Sequence, residues 1–305
     1  MILFVVNESS GNGRGAKVWQ QVEKQLQALG TTYRAILASN GQDAYERTAA
    51  QLCDTEWEAI AVVGGDGTLH GILPLLVGTG FPVGIIPAGS GNDTSRAFHI
   101  PSDPIQALDI IVSGQTRLTD AIASTSSNGE KQVTLTAIAV GMDGAVAADV
   151  NGSRYKRWCN KLGIGSLAYL IGFIRTIVKF SPRDITITMD GTVHRFQRGW
   201  LSAVANIASY GGGLRICPDA RADDGQLHVC VVHGCSLWRI LFVFPTLLKG
   251  AHVKLRNVTL LKGRQVTIET GGAFLAYGDG EPSGQTPLQA ELLQGQLVFL
   301  TTFSG

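Results

Sequence analysis

The first third of the chain alternates short, almost wholly apolar runs with stretches of helical periodicity. The apolar runs predict strands at residues 2–6, 33–37, 59–63 and 83–86. The stretches between them predict helices at residues 16–29, 43–52 and 69–77, with Val18, Val22, Leu26 and Leu29 on one stripe of the first helix. Strands that are apolar throughout are typical of a parallel sheet with helices on both faces. Ligands of such sheets bind at the carboxyl ends of the strands.

After about Asp120 the pattern changes to a succession of short strands. We predict them at residues 133–140, 185–189, 193–197, 201–208, 227–232, 258–261, 266–270, 274–277, 288–293 and 297–303. Asp190-Gly191 separates two of these strands and is a strong signal for a two-residue hairpin. This half of the chain therefore predicts a β-sandwich or an open barrel with one or two inserted helices.

Composition and charge narrow the classes of function. The 305 residues fit about two domains, and 45% apolar with 16% charged residues indicates a globular chain. The 25 basic and 24 acidic residues leave a net charge of +1, which provides no overall basic field for nucleic acid. We therefore expect no nucleic-acid partner, and any anion must be recognised locally.

Cysteine spacing and hydropathy indicate the compartment. The five cysteines form no CxxC pair and predict reduced, buried thiols in a cytosolic protein. The longest apolar run, residues 162–174, falls short of the ~18 residues of a membrane-spanning helix. The run at residues 240–248 is shorter still. Segment 238–248, bracketed by Arg239 and Lys249, is a candidate for a segment that lies on a membrane surface, although Pro245 within it favours a place in the core. We expect a soluble protein that at most lies on a membrane surface.

Three of the predicted strands lead into glycine-rich loops with polar side chains, at residues 7–15, 64–68 and 89–93. Glycines let backbone N–H groups approach an anion closely, so three such loops on one sheet edge predict a cradle for a nucleotide or polyphosphate. Each loop alone is also compatible with an ordinary turn between strand and helix. The spacings of the P-loop and of the dinucleotide-binding GxGxxG motif are both absent.

The ordered motifs resemble the diacylglycerol kinase catalytic domain family, which includes bacterial lipid kinases and the sphingosine and ceramide kinases. After the Gly-Gly-Asp-Gly-Thr loop at 64–68 and the loop at 89–93 come Gly141-Met142-Asp143-Gly144, Asp223-Asp224-Gly225 and Asp279-Gly280-Glu281-Pro282. The resemblance covers nearly the whole chain. It implies an α/β fold in which a parallel-sheet nucleotide-binding domain, residues 1–120, is joined to a β-sandwich lipid-substrate domain, residues 121–305. The active site is then expected in the cleft between them, and the last strand is a candidate for return to the first domain.

The resemblance also implies which residues contact ATP. They are Asn7, Ser10, Gly11, Ser39, Gly64, Gly65, Asp66, Gly67, Thr68, Leu69, His70, Gly89, Ser90, Asn92 and Asp93. Ser39 or Asn40 stands at a further ATP contact where the family usually has Thr, and other positions also depart from the family's usual residues. Glu8 stands where the family has Pro, His70-Gly71 where it has Asn-Glu, and Ser90 where it has Thr. Ser90 keeps the hydroxyl group, whereas His70-Gly71 lacks both the amide and the carboxylate.

Two carboxylate motifs in the second half of the chain are expected to carry further chemistry. The resemblance implies a structural Mg²⁺ held by the Asp224 carboxylate and the backbone carbonyls of Arg221 and Gln226, although Asp-Gly alone is also a simple turn. It places the catalytic base in Asp279-Gly280-Glu281, which by itself is also a plausible hairpin tip. Either Asp279 or Glu281 is a candidate to take the proton of the acceptor hydroxyl.

A basic and aromatic cluster precedes the longest apolar run. It consists of Arg154, Tyr155, Lys156, Arg157, Trp158 and Lys161. Such a cluster is typical of a segment that lies on an anionic membrane, and a core helix with a solvated basic end is the alternative.

The function we predict is an ATP- and Mg²⁺-dependent lipid kinase with diacylglycerol as the acceptor. A kinase of another alcohol, such as a sphingoid lipid or NAD, and a non-catalytic nucleotide-binding module are the alternatives. The expected partners are the lipid substrate and an anionic membrane surface, with a second copy of the chain, forming a homodimer, as a further candidate. The expected location is the cytoplasm, peripherally on the membrane.

Overall fold

The computed structural model of the protein describes residues 1–53, 57–151, 153 and 165–302. The chain divides into two compact units. The first contains Met1–Thr119 and Gly295–Gly305, and the second contains Asp120–Gln294.

The first unit is built on a parallel sheet. Its elements are β1 Ile2–Asn7, α1 Ser10–Leu29, β2 Tyr33–Ala38, α2 Gly41–Leu52, β3 Ala59–Gly64, α3 Asp66–Ile72, a 3₁₀ turn Leu73–Leu75, β4 Pro82–Pro87, α4 Asp93–Ala97 and α5 Pro104–Ser113. The strand order is β2-β1-β3-β4, with all of these pairs parallel. Val298 and Phe299, near the end of the last strand of the chain, pair in parallel with Pro82 and Val83 of β4. Phe299 is fully buried and stacks on Phe98, with 4.3 Å between the ring centroids.

The second unit contains two antiparallel sheets. The elements that lie wholly or partly within it are β5 Thr116–Thr125, β6 Lys131–Thr134, β7 Ala137–Gly141, α6 Met142–Asn151, α7 Gly165–Lys179, β8 Arg183–Met189, β9 Thr192–Gly199, β10 Leu201–Ala205, β11 Leu227–Val232, α8 Leu237–Leu247, a 3₁₀ turn Ala251–Lys254, β12 Val258–Gly263, β13 Gln265–Thr270, β14 Leu275–Gly278, β15 Glu281–Gln285 and β16 Leu288–Leu300. One sheet has the order β12-β11-β10-β7-β14-β15, and the other brings together β9, β8, β13 and the first residues of β16.

Alternation along the strands divides the core of this unit in two. Val204 of β10 packs between the sheets with Ile187 of β8 and Ile268 of β13. Its neighbours Ala203 and Ala205 point to the opposite side, where they join the apolar side chains of α6, α7 and α8. This arrangement confirms the predicted α/β fold with a parallel-sheet domain and a β-sandwich.

Several predicted elements differ in detail from the structure. The strand predicted at 133–140 is two strands, β6 and β7, and the two predicted at 288–293 and 297–303 are continuous as β16. Leu29 was placed on the buried stripe of α1 but is exposed at the helix end, and Cys53 is an exposed thiol rather than a buried one. The helices α4, α5 and α6 and the strands β5 and β15 are absent from the sequence-based prediction.

The apolar run around Pro245 is not simply part of the core. It forms α8 with Pro245 inside the helix, and Trp238 and Phe242 on it are exposed. The basic cluster from Arg154 to Lys161 and Cys159 lie outside the described residues, so the prediction made on that cluster stays a prediction. Among the helices in the described part of the chain, none combines the length and apolar content of a bilayer-spanning segment.

Candidate active site

The three glycine-rich loops meet at one edge of the parallel sheet. They follow β1, β3 and β4, and β3 pairs with both of the others. A methyl group added at Gly65 would lie 2.9 Å from the Cα atom of Gly89, and one added at Gly11 would lie 2.2 Å from the carbonyl oxygen of Ala88. Only glycine permits this approach of backbone to backbone. The result is a concentration of backbone groups without side chains, which suits a phosphate chain.

Asp66 joins the second loop to the third. Its two carboxylate oxygens accept hydrogen bonds from the backbone N–H groups of Asp93 and Thr94, each at 2.9 Å, at the start of α4. Burial and, to a smaller extent, the neighbouring Asp93 carboxylate raise the pKa of Asp66, while the two backbone hydrogen bonds act in the opposite direction. The carboxylate is therefore held in place by the protein itself.

Polar side chains complete the loops. The Asn7 amide donates to the Thr68 hydroxyl at 3.0 Å, and the Asn92 side chain closes the third loop by bonding the N–H and carbonyl groups of Gly89. Ser90 is exposed at the tip of that loop. These contacts order the loop residues that the sequence analysis predicts to contact phosphates.

Three further residues predicted to contact ATP are Ser39, Leu69 and His70, and they lie at different places in the first unit. Ser39, at the end of β2, donates from its N–H and hydroxyl groups to the Asp43 carboxylate at 2.9 and 3.2 Å. The Leu69 side chain is buried in the core, so that residue could meet a ligand only through its backbone. His70 lies partly exposed on α3.

In the second unit, the hairpin between β14 and β15 holds its two carboxylates in different ways. Asp279 and Gly280 form the turn with φ of 51° and 84°, as a two-residue hairpin of this kind requires. The Asp279 carboxylate accepts hydrogen bonds from the N–H groups of Leu135 and Thr136, at 2.9 and 2.7 Å, and from the Thr136 hydroxyl at 2.5 Å. Glu281 is exposed at the first position of β15.

A second hairpin of the same geometry shows what the aspartate does. Asp190 and Gly191, between β8 and β9, have φ of 47° and 82°. The Asp190 carboxylate likewise accepts hydrogen bonds from two successive backbone N–H groups, those of Arg264 and Gln265. Because the aspartate plays the same part in both turns, Glu281 is the residue that distinguishes the first hairpin; Thr192 stands at its place in the second.

The turn that carries Asp224 presents oxygen donors. One Asp224 oxygen accepts from the Gln226 N–H at 3.0 Å, and the other lies 2.8 Å from Nε2 of the buried His228. The Arg221 carbonyl accepts the Asp224 N–H at 3.3 Å and keeps a second lone pair. Carboxylate and carbonyl oxygens suit Mg²⁺, so the donor set fits this ion. Among the described residues, however, no group of three or more acidic, histidine or cysteine side chains could enclose a metal.

A buried network that the sequence did not reveal connects this turn with the hairpin. The Asn206 amide donates to the carbonyl oxygens of Asp120 and Leu135, at 2.8 and 2.9 Å. The Asp120 carboxylate accepts from the Gly225 N–H at 2.9 Å, beside Asp224, while Leu135 donates to Asp279. The sequence signal was an aspartate, Asp120, directly before the apolar residues Ala121 and Ile122. Asn206 thus links the turn of Asp224 and the hairpin of Asp279 through one hydrogen-bond network.

The Gly-Met-Asp-Gly motif places Asp143 in a different part of the unit. Asp143 lies in the first turn of α6 and accepts a hydrogen bond from the Tyr210 hydroxyl. Burial raises the pKa of Asp143, and the Tyr210 hydrogen bond acts in the opposite direction. Asp279 follows the Gly278 that pairs with Ile138, whereas Asp143 follows the other end of β7, so the two carboxylates lie at opposite ends of this strand pair.

Comparison with known proteins agrees with the order of these motifs. Residues 1–124 match the diacylglycerol kinase catalytic domain, and residues 136–301 match the YegS C-terminal NAD kinase beta sandwich-like domain. A diacylglycerol kinase of Mycobacterium tuberculosis is 33% identical over 292 residues, covering 95% of this chain and 91% of the relative. One of Staphylococcus carnosus is 26% identical over 289 residues, covering 93% and 89%.

Solved structures share the fold. A crystal structure from Bacillus anthracis str. Sterne has a TM-score of 0.79 at 24% identity and covers 99% of this chain and 97% of its own. Another from the same strain has a TM-score of 0.72 at 21% identity, with coverage of 99% and 96%. With both of its domains matched along the length of the chain, the protein belongs to the bacterial diacylglycerol kinase family of lipid kinases and is a phosphotransferase that acts on an alcohol group.

Proposed function

We propose that the protein uses ATP and Mg²⁺ to convert diacylglycerol to phosphatidic acid. The name of the relatives in M. tuberculosis and S. carnosus supports the acceptor. The glycine-rich loops support the donor, because closely spaced backbone groups without side chains and the exposed hydroxyl of Ser90 are suited to a triphosphate. We assign to ATP the loop residues given above, with Asp66 keeping the second and third loops together.

The assignment of the catalytic base rests on one observation: the carboxylates of Asp279 and Glu281 differ in the number of hydrogen bonds that they accept. A general base needs a lone pair open to the hydroxyl whose proton it takes. Three donors occupy the Asp279 carboxylate. In the described part of the chain, no hydrogen bond ties the exposed Glu281 carboxylate. Glu281 is therefore the catalytic base, and Asp279 is a positioning residue that sets the hairpin.

The transfer then follows the usual course of phosphoryl transfer. Glu281 takes the proton of the lipid hydroxyl as the hydroxyl oxygen bonds to the γ-phosphorus. The bond from that phosphorus to the bridging oxygen breaks, and its electron pair leaves with ADP. The protein contributes mainly positioning and neutralisation of charge.

The Mg²⁺ ion that we assign to Asp224, with the carbonyls of Arg221 and Gln226, is structural. It would stiffen a turn that the Asp120 and Asn206 network links to the hairpin. Since ATP is abundant in the cytoplasm and the acceptor is a membrane lipid, we place the enzyme in the cytoplasm at the membrane surface.

The test is phosphorylation with γ-labelled ATP. Diacylglycerol, a sphingoid base, ceramide and NAD are offered separately, each with and without EDTA. We expect label in phosphatidic acid only, dependent on Mg²⁺. Labelled NADP would instead support a kinase of a soluble alcohol, and ATP binding without any labelled product would support a non-catalytic module.

A further inference from the structure

Helix α8 has an apolar face that the protein does not cover. Trp238 and Phe242 are 72% and 78% exposed, and Leu248, the residue that follows the helix, is 60% exposed. With 3.6 residues per turn, their spacing places them within about a third of the helix circumference. The opposite face carries Ile240, Val243 and Leu247, which are buried in the core. The exposed residues are therefore additional to those that hold the helix in the fold.

The neighbouring helix extends this surface. Phe173 of α7 stacks on Phe244 of α8, with 4.1 Å between the ring centroids, so the two helices lie side by side. On α7, Ile174 and Val178 are 53% and 72% exposed. We call the exposed apolar residues of the two helices the α7–α8 face.

The surroundings of this face are positively charged. The segment 233–256 contains Arg239, Lys249, Lys254 and Arg256, all exposed, and no aspartate or glutamate. Acidic and basic residues are almost equal in number over the whole chain, so this segment carries a local excess of positive charge. Exposed aromatic and aliphatic side chains among cations match the boundary between the acyl chains and headgroups of an anionic bilayer.

We propose that the α7–α8 face docks on an anionic phospholipid bilayer, with Trp238 and Phe242 inserted at the level of the headgroups. The choice of a bilayer as the occupant rests on the proposed function, because a diacylglycerol substrate is itself held in a membrane. Docking would bring the enzyme to the surface that contains its substrate, without any step of the reaction passing through these residues.

The test is flotation of the full chain, without nucleotide, with vesicles of phosphatidylglycerol and phosphatidylcholine or of phosphatidylcholine alone. We expect the W238A/F242A variant to bind the anionic vesicles at least ~10-fold more weakly than the wild type. R239Q/K249Q, which leaves Lys254 and Arg256 in place, should weaken binding to anionic vesicles and reduce its salt dependence. The matched control is L118A/V193A, which removes exposed apolar side chains elsewhere and should bind as the wild type does.

Equal vesicle binding by the wild type and W238A/F242A would overturn the proposal. So would a wild-type dimer that becomes monomeric in W238A/F242A while vesicle binding stays unchanged, since the face would then join two copies of the chain. Vesicle binding is measured without catalysis, so its outcome is separate from that of the kinase assay. If no lipid is phosphorylated but W238A/F242A still loses vesicle binding, the proposed function fails and the docking face stands.

Discussion

At the scale of single residues, position within a turn separates the roles of neighbouring carboxylates. Asp279 fastens its hairpin to the backbone of Leu135 and Thr136, and Glu281 two residues later is exposed. A partly buried carboxylate that accepts several hydrogen bonds contributes to stability, whereas an exposed carboxylate contributes little to stability and is open to a substrate. We therefore expect replacement of Asp279 to affect stability and replacement of Glu281 to affect the rate of the reaction.

Replacing Glu281 by Gln should lower kcat by about 10²–10⁴-fold, because the amide cannot take the proton. The melting temperature should change little, since the side chain is exposed. Asp279→Asn should instead lower stability by about 1–3 kcal/mol, because an amide cannot accept all three hydrogen bonds. Steady-state kinetics and calorimetric melting measure the two effects.

The matched control for the hairpin is Asp190→Asn, in the second turn of the same geometry. It should lower stability less than Asp279→Asn does, because one Asp190 oxygen accepts from both Arg264 and Gln265 and an amide oxygen can do the same, and it should leave kcat unchanged. If Glu281→Gln retains wild-type kcat, the base lies elsewhere.

Asp143 predicts a pH dependence of stability. Its pKa is raised in the folded protein, so the folded state holds the proton more tightly than the unfolded chain does. The stability that this proton provides is complete below the unfolded pKa of about 4 and is lost as the pH rises through the folded pKa. Asp143→Asn keeps an acceptor for the Tyr210 hydroxyl and carries no charge.

The variant should therefore become more stable relative to the wild type as the pH rises from about 4 to 7. Each kcal/mol would appear as about 2–4 °C in the melting temperature. Calorimetry at several pH values measures the difference, and a difference that does not vary with pH would contradict the assignment.

At the scale of elements, short helices are positioned by carboxylates. The Asp66 carboxylate, on α3, accepts hydrogen bonds from two backbone N–H groups at the start of α4. Asp103 does the same at the start of α5, where it is the residue before the helix. Asp103 is a local cap, whereas Asp66 links two loops of the predicted phosphate cradle.

Asp66→Asn should weaken binding of a non-hydrolysable ATP analogue by at least ~10-fold. The Asn side chain would place its NH₂ group against one of the two backbone N–H groups of α4. Two donors repel each other, so the third loop should be displaced. The control Asp103→Ala removes the cap of α5, so it should lower the melting temperature by a few degrees but leave ATP affinity unchanged. Titration calorimetry compares the two variants, and equal affinities would leave Asp66 as a cap of α4 alone.

Elements that depend on neighbouring residues could be predicted from the sequence, whereas features that depend on distant residues could not. The strands β1, β3 and β4 and their glycine loops were evident, because their signals are contained in a few consecutive residues. Strand β15 has the sequence EPSGQ, whose proline and glycine oppose a strand, and pairing with β14 overrides them. The roles of Asp279 and Glu281 were not separable, because the partners of Asp279 lie 143 and 144 residues away. Helix α8 is apolar on both faces, so periodicity could not show which face is covered.

At the scale of the whole molecule, a metal ion should act on stability through Asp224. With EDTA present, Asp224→Ala should still melt below the wild type, since the buried His228 loses its partner at 2.8 Å, at a cost of about 1–3 kcal/mol. Added Mg²⁺ should raise the melting temperature of the wild type and not that of the variant.

The control for the metal is Asp223→Ala, which removes the neighbouring carboxylate that pairs with the Arg221 side chain. It should keep the shift caused by Mg²⁺, because the Arg221 ligand would be the backbone carbonyl. A wild type whose melting temperature is the same in EDTA and in Mg²⁺ would exclude this site.

Strand β16 has a consequence for biosynthesis. The first unit is discontinuous, because Val298 and Phe299 complete a sheet whose other strands end at Pro87. The ribosome must therefore make all of Asp120–Gln294 before the missing strand emerges, a delay on the order of ten seconds or more at about 5–20 residues per second. Throughout that interval the edge of β4 that later receives β16 has no partner strand from its own sheet, and an unpaired strand edge invites association with other chains. The nascent first unit is thus the stage at which this protein would most need a chaperone.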